Sequence, residues 1–159
     1  MTIQDQVLAG RLNGILLPLS AMKTENDWGV GDFSSLREWT AFLAAQGTKI
    51  IQILPLQETA PGENCPYSAL SAFATDPVYA DISSVEDIMA SPAAGEYLES
   101  IQPQIAAWHQ ADRSPFFAVK QAKLKALWLG YQRFLLAEQS QRTARFHAFE
   151  AYCSSQVGW

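Results

Sequence analysis

The chain has 159 residues, enough for one ordinary domain, and carries a net charge of -5 and two cysteines. Without a block of basic residues a nucleic-acid partner is disfavoured, because such affinity depends on clustered Lys and Arg. Cys65 and Cys153 lie too far apart in sequence for a disulfide framework, which indicates a reducing compartment. The first six residues lack the basic segment leading into an apolar core that is typical of a signal peptide, and no apolar run approaches the roughly 18 residues of a membrane span. We therefore expect a cytoplasmic protein without a membrane partner.

The first half of the chain predicts two strands. Residues 14–19 form a short apolar run that contains Pro18, and residues 49–54 form a β-branched run that Pro55 ends. Continuous apolar runs of this length are typical of strands buried on both faces, as in a parallel sheet covered by helices.

A helix is predicted between these strands. Ser35 and Glu38 have capping-box spacing, and Leu36, Trp39 and Leu43 follow at helical intervals. Gly47 is a suitable left-handed stop. Strand, helix and strand therefore predict a right-handed β-α-β unit.

The second strand leads into an unusually long connection, residues 57–81, where α/β units ordinarily use about 2–6 residues. It has no sustained apolar period but holds much apolar and aromatic surface: Tyr67, Leu70, Phe73, Val78 and Tyr79. A disordered linker would carry less apolar and aromatic surface. We predict a packed loop at the carboxyl end of a strand, where barrel enzymes hold their ligands.

Helical patterns fill the rest of the chain. Ser91 and Pro92 predict a helix start, and Pro103 should kink or split that helix. A second start at Ser114 and Pro115 precedes the most regular helix, and a last helix is predicted over residues 143–154.

The regular helix has a predicted apolar face of five residues: Leu124, Leu127, Trp128, Tyr131 and Leu135. Its lysines (Lys120, Lys123 and Lys125) largely avoid that face, and we expect the side chain of Lys123 to be solvated. Trp39, Trp108 and Trp128 are predicted to lie in the core.

Several linked motifs resemble the amino-terminal region of the 4-α-glucanotransferases, the amylomaltase or disproportionating-enzyme family of the α-amylase clan. The matching stretches, in the family's order, are Gly14-Ile-Leu-Leu17, Gly29-Val-Gly-Asp32, Ile51-Gln-Ile-Leu-Pro-Leu56 and Cys65-Pro-Tyr-Ser-Ala-Leu-Ser-Ala-Phe-Ala-Thr-Asp-Pro77. Ile51, Cys65 and Asp76 stand where the family commonly has Trp, Ser and Asn. Residues 116–123 also resemble the family's aromatic-x-x-Val-x-x-x-Lys segment.

This resemblance implies an α/β fold, the amino-terminal portion of a (β/α)8 TIM barrel with a helical subdomain. Residues 1–90 would hold the first β-α-β unit and a substrate-facing loop, and residues 91–159 the helical subdomain. A complete barrel needs about 200–250 residues or more, so we expect a fragment whose remaining barrel is absent or supplied by a second chain.

The implied activity is transfer of α-1,4-glucan segments by a retaining double displacement, which needs two carboxyl groups about 5–5.5 Å apart and no cofactor or metal. The acids near the loop are Glu58, Glu63, Asp76 and Asp81, and acids in turns are usually solvated. By resemblance, the catalytic carboxylates lie beyond this chain. We expect no catalytic residue here and an isolated chain that is inactive.

Two other functions remain open. One is a non-catalytic module that binds glucan or complements another chain, and the other is hydrolysis by a different enzyme of the α-amylase clan. A relic without function is a third possibility. His109 and His147 lack companion ligands, so a metal site is not expected.

Tyr67, between Pro66 and Ser68, is the foremost candidate for substrate contact, because its ring and hydroxyl suit a sugar. The family's matching Tyr lines a subsite beside the cleaved bond, and the alternative is an aromatic packed over the barrel rim. Trp28 is a second, weaker candidate. Asp76 and Pro77 are expected to fix the end of the loop, and Asp32 to cap the following helix or hold its own loop.

Overall fold

The structure, a computed structural model, describes residues 12–60 and 67–156. Strands β1 (Gly14–Leu17) and β2 (Ile50–Ile53) pair in parallel, with Gly14 opposite Ile50 and Leu17 opposite Ile53. Helix α1 (Phe33–Ala45) connects them. The predicted β-α-β unit is confirmed, although β1 ends at Leu17 because Pro18 has no N–H to continue the ladder.

The prediction that both strands are buried on both faces is wrong for the described part of the chain. Leu17, Ile51 and Ile53 pack against the core, whereas Leu16 is 54% exposed and Ile50 45% exposed. Successive side chains of a strand point to opposite faces, and the described elements cover one face of this pair. The other face, which carries Leu16, Ile50 and Gln52, is open among the described residues.

Helix α1 begins three residues earlier than the predicted capping box. Asp32 is the N-cap, and its Oδ1 accepts hydrogen bonds from the backbone N–H groups of Ser34 (3.1 Å) and Ser35 (3.2 Å). The expectation that Ser35 caps the helix is therefore wrong, because a better acceptor already holds the free N–H groups. The helix ends at Ala45, and Gly47, two residues beyond, has the predicted left-handed conformation with a φ of +84°.

Five further helices follow: α2 (Glu86–Met89), α3 (Pro92–Ser100), α4 (Gln102–His109), α5 (Phe116–Phe134) and α6 (Ala144–Ser155). Short 3-10 turns cover Leu19–Ala21, Pro77–Tyr79 and Ile82–Ser84, and a π-helical turn, Leu135–Gln139, extends α5. Ser91 caps α3 and Thr143 caps α6. The split between α3 and α4 just before Pro103 was predicted and is confirmed.

Helix α5 buries a different face from the predicted one. Its buried residues are Val119, Lys120, Ala122, Lys123, Ala126, Gly130 and Phe134, a stripe that is mostly small or charged. Trp128, expected in the core, is 58% exposed. Small side chains let α5 approach its neighbours closely, so packing distance and not side-chain size decides which face is buried.

Two hydrophobic clusters form the interior. The first joins the strands, the turn after β1 and α5 around Leu19, Met22, Val30, Val78, Tyr79 and Val119, and Trp39 and Trp108 pack against it. The second joins α2, α3 and α5 around Ile82, Ile88, Ala94 and Ala126. No helix in residues 12–60 or 67–156 has the length and apolar character to cross a membrane.

Gly130 marks the closest approach within the second cluster, and we expect Gly130→Ala to destabilise the protein. A Cβ there would lie 2.6 Å from Cγ1 of Ile88 and 3.1 Å from its backbone nitrogen. Overpacking of this kind costs about 1–3 kcal/mol, more than the gain of about 1 kcal/mol in helix propensity. Urea unfolding should show a loss of about 1–2 kcal/mol.

The matched control is Gly95→Ala in α3, where an added Cβ meets no atom within 4 Å. This change should raise stability by up to about 1 kcal/mol through helix propensity alone. Equal effects of the two substitutions would contradict the close packing of α5 on α2.

Candidate functional site

The candidate site lies at the carboxyl ends of the two strands, which parallel pairing brings to one edge of the sheet. Ligands of α/β proteins bind at this edge. A cleft of about 650 Å³ opens there, lined by Pro18, Leu19 and Ser20 after β1, by Leu54, Pro55, Gln57 and Thr59 after β2, by Tyr79, and by residues 114–118 at the start of α5. Most of its lining is apolar, with a few hydroxyl and amide groups.

The segment after β2, here called the site loop (residues 57–76), is held at its base by antiparallel pairing. Gln57 bridges Thr75, and Thr59 bridges Ala69. The N–H of Glu58 donates to Ala74 O (2.9 Å) and the N–H of Asp76 donates to Leu56 O (2.8 Å). Both ends of the site loop are thus fixed to each other; residues 61–66, including Pro66, lie outside the described residues.

Asp76 is the buried anchor of this base. Its Oδ1 accepts from the N–H of Val78 (3.0 Å), which starts the turn Pro77–Tyr79. Its Oδ2 accepts from the ammonium of Lys120 (2.9 Å) and from the N–H of Thr59 (3.4 Å). One carboxylate, only 1% exposed, therefore joins the start of the site loop, its end and helix α5.

Lys120 completes this anchor from α5. Its Nζ also lies 3.1 Å from Oε1 of Glu58 and donates to Thr59 O at 3.4 Å. Burial of the ammonium lowers the pKa of Lys120, but hydrogen bonds and charges from Asp76 and Glu58 outweigh burial and raise the pKa above its ordinary value. The side chain stays charged at neutral pH.

Lys123, one turn further along α5, holds the loop that follows β1. Its Nζ donates to Oδ2 of Asp32 (2.9 Å) and to Ala80 O (2.7 Å), and it lies 5.8 Å from the ring centre of Trp28. Burial lowers the pKa of Lys123, and the carboxylate of Asp32 opposes that shift only in part.

The expectation that Lys123 is solvated is wrong, because its side chain is 0% exposed, and Lys120 is also buried at 8% exposed. Lys120 pairs with Asp76, 44 residues away in sequence, and Lys123 pairs with Asp32, 91 residues away. The helical periodicity of α5 therefore cannot predict these partners. The one available signal was the resemblance of residues 116–123 to a family segment that ends in Lys.

The loop after β1 is fixed by its own carboxylate. The Oδ1 of Asp27 accepts from the N–H of Gly29 (2.6 Å), and Asp27 is 2% exposed. Gly29 has a φ of +88°, and a Cβ there would lie 2.3 Å from Trp108 O. Only glycine fits this contact, which seats the loop against the end of α4.

The predicted contact residues of the site loop are on its surface. Tyr67 is 71% exposed, Ser68 is exposed, and Leu70 and Phe73 are 64% and 76% exposed. The prediction of a fully packed loop is wrong for these residues, because the base of the loop is buried and its outer part is not. Tyr67 is not packed against the described residues as a rim aromatic would be.

Trp28 has a different environment from Tyr67. It is half-buried, packs against both hydrophobic clusters and lies under the ammonium of Lys123. This environment is that of a packing residue.

Each described acid of the site loop region has a structural partner. Glu58 and Asp76 bind the same lysine, so Glu58 is not simply solvated as expected. Asp81 starts the turn Ile82–Ser84 by accepting from the N–H of Ser83 (3.1 Å). Glu63 lies outside the described residues, and within those described no group of three or more His, Cys, Asp and Glu side chains is placed to hold a metal.

Tyr79 lines the cleft and was not predicted as a site residue. It is 6% exposed, and its ring meets that of Phe116 edge-on at 6.0 Å. Burial, with a smaller contribution from the charge of Asp76, raises the pKa of Tyr79 to about 12.

Comparisons with known proteins point to one family. A sequence model described as 4-alpha-glucanotransferase matches residues 17–159. The 4-alpha-glucanotransferase of Chlamydia pneumoniae is 30% identical over 71% of this chain and 20% of its own length, and that of Chlamydia caviae is 26% identical over 92% and 26%. The chain thus spans about a fifth to a quarter of these relatives.

A solved structure shows the same fold. The amylomaltase of Corynebacterium glutamicum superimposes with a TM-score of 0.72 at 22% identity, over 91% of this chain and 21% of that protein. The arrangement of strands and helices described above therefore recurs in a much longer chain.

Alkaline pH should test the environment of Tyr79. The folded state favours the neutral phenol, whereas the unfolded state ionises near pH 10, so stability is lost as pH rises from about 10 to about 12. Between pH 9 and pH 11 this tyrosine should account for a loss of about 1 kcal/mol in unfolding free energy.

Tyr79→Phe should therefore lose about 1 kcal/mol less than the unchanged protein over that range, as measured by urea unfolding at both pH values. Tyr152→Phe is the control, because Tyr152 is 61% exposed. An identical pH dependence in all three proteins would show that Tyr79 ionises normally.

Proposed function

The chain belongs to the 4-alpha-glucanotransferase family, and we propose that it forms a part of such an enzyme that contacts the α-1,4-glucan. The observation that carries this proposal is Tyr67, 71% exposed on a loop whose base is fixed. The loop that carries it follows β2 at the carboxyl end of a parallel strand pair, and ligands of such folds bind at that end. Ser68 beside it, and Pro66 before it, would complete the contact.

The chemistry of Tyr67 suits a sugar. An aromatic ring offers an apolar face to the C–H groups of a glucose ring, and its hydroxyl both donates and accepts hydrogen bonds. Leu70 and Phe73 add exposed apolar surface to the same loop. Exposed apolar side chains on a loop whose base is anchored favour a binding role over a purely structural one.

The parent reaction would be a retaining double displacement, in which one carboxylate attacks the sugar and another acts as acid and base. The described acids at this edge are engaged elsewhere, since Glu58 and Asp76 bind Lys120 and Asp81 caps a turn. We propose that the chain supplies binding surface and loop geometry, that it holds no catalytic residue, and that the parent chemistry uses neither metal nor organic cofactor.

Tyr67→Ala should weaken binding of maltoheptaose to the purified chain by about tenfold, because stacking and hydrogen bonding to one ring are lost. Isothermal titration calorimetry measures the change. Tyr152→Ala is the control, since Tyr152 is also an exposed tyrosine but lies on α6. Equal binding by the unchanged chain and Tyr67→Ala, or no binding by either, would refute the proposed contact.

A second role is favoured by the open face of the sheet. Leu16 and Ile50 are exposed there, and the two-stranded parallel sheet of the described residues has unpaired edges at which further strands can add. We propose that further strands of a TIM barrel, carried by a second chain, cover this face. The open face would then be a complementation surface.

This proposal predicts that the chain alone does not disproportionate maltotriose, and that turnover appears when the remaining part of a relative's barrel is added. Glucose release measures both. Substituting Leu16→Glu on the open face should prevent the complementation, whereas Leu136→Glu, which changes a 79% exposed leucine on the π-helical turn, should not. Turnover by the chain alone would refute the proposed division of roles.

A further inference from the structure

We infer that Lys120 is a positioning residue that sets the geometry of the site loop, an inference that rests on the function proposed above. Lys120 belongs to α5, not to the site loop, yet its ammonium reaches both ends of that loop. It contacts Glu58 and Thr59 at the beginning and Asp76 at the end.

Lys120 contacts the same residues that form the backbone hydrogen bonds at the base of the site loop. Glu58 receives a hydrogen bond at its carbonyl from the N–H of Leu70 (2.8 Å), and its own N–H donates to Ala74 O (2.9 Å). The residues that Lys120 holds are thus those that fix the chain on either side of Tyr67. Holding them sets where the ring of Tyr67 leaves the surface.

Lys120 acts through the loop and not on a ligand. Its side chain is 10% exposed, and its Nζ is engaged by two carboxylates and one carbonyl. An ammonium with three acceptors has its three donors satisfied, so none remains for a sugar hydroxyl. A change at Lys120 should therefore alter binding only by releasing the loop.

Two variants separate this role from simple loss of folding. Lys120→Met alone would leave Asp76 as a buried unpaired carboxylate, which is strongly destabilising. The double variant Lys120→Met with Asp76→Asn removes both charges, and the Asn side-chain oxygen can still accept from the N–H of Val78. Glu58→Gln removes only the charge of Glu58, whose side chain is 36% exposed and is the more exposed of the two carboxylates that pair with Lys120.

The first measurement is amide hydrogen exchange by NMR at the N–H groups of Glu58, Leu70 and Asp76, all of which bond within the loop base. We expect exchange about tenfold faster at these three positions in the double variant, a smaller increase in Glu58→Gln, and no change at the amides of β2. Lys49→Met, a change to an exposed lysine at the other end of β2, should leave all of them unaltered.

The second measurement is the affinity of the same proteins for maltoheptaose. We expect this affinity to fall about tenfold in the double variant and to remain unchanged in Lys49→Met. The unfolding midpoint of the double variant should stay close to that of the unchanged protein. Unaltered loop exchange or unaltered affinity in the folded double variant would overturn the inference. If the unchanged chain binds no glucan but the exchange results are as expected, the proposed function fails and Lys120 fixes only the loop geometry.

Discussion

Two buried lysines on one turn of α5 hold the loops that follow both strands. Lys123 pairs with Asp32 after β1, and Lys120 pairs with Asp76 after β2. Burying each charge costs several kcal/mol, which is repaid only when geometry is good and the remaining donors are satisfied. Here each Nζ also donates to a backbone carbonyl, Ala80 O or Thr59 O. Losing either lysine would leave a buried carboxylate unpaired, a penalty of about 3–5 kcal/mol.

The same two carboxylates also begin local structure. Asp32 caps α1 and Asp76 caps the turn Pro77–Tyr79, so each uses one oxygen for a cap and the other for a lysine. The position of α5 is therefore linked to the start of α1 and to the end of the site loop. This linkage leaves the site loop fixed at its base and exposed at Tyr67, an arrangement suited to a surface that meets a flexible ligand.

A structural feature could be predicted from the sequence when the residues that cause it are close together in the chain. The β-α-β unit, the stop at Gly47, the split before Pro103 and the cap at Ser91 follow from nearby residues, and all are observed. The buried face of α5 does not, because Trp128 and Tyr131 of the predicted apolar face are exposed, whereas Lys120 and Lys123 are buried. Those lysines are buried through partners distant in sequence, which no single-helix pattern contains. For the site, the motif around Tyr67 and the role of Asp76 at the end of the loop could be predicted, but the pairing of Asp76 with Lys120 could not.

The charges at this edge also bear on what the site can bind. The electrostatic environment of Lys120 and Lys123 includes five carboxylates against two ammonium groups: Asp27, Asp32, Glu58, Asp76 and Asp81. Both lysines are fully engaged, so neither is free to offset an anionic group. The arrangement that fixes the two loops therefore leaves neither Lys120 nor Lys123 available to bind an anion at this edge.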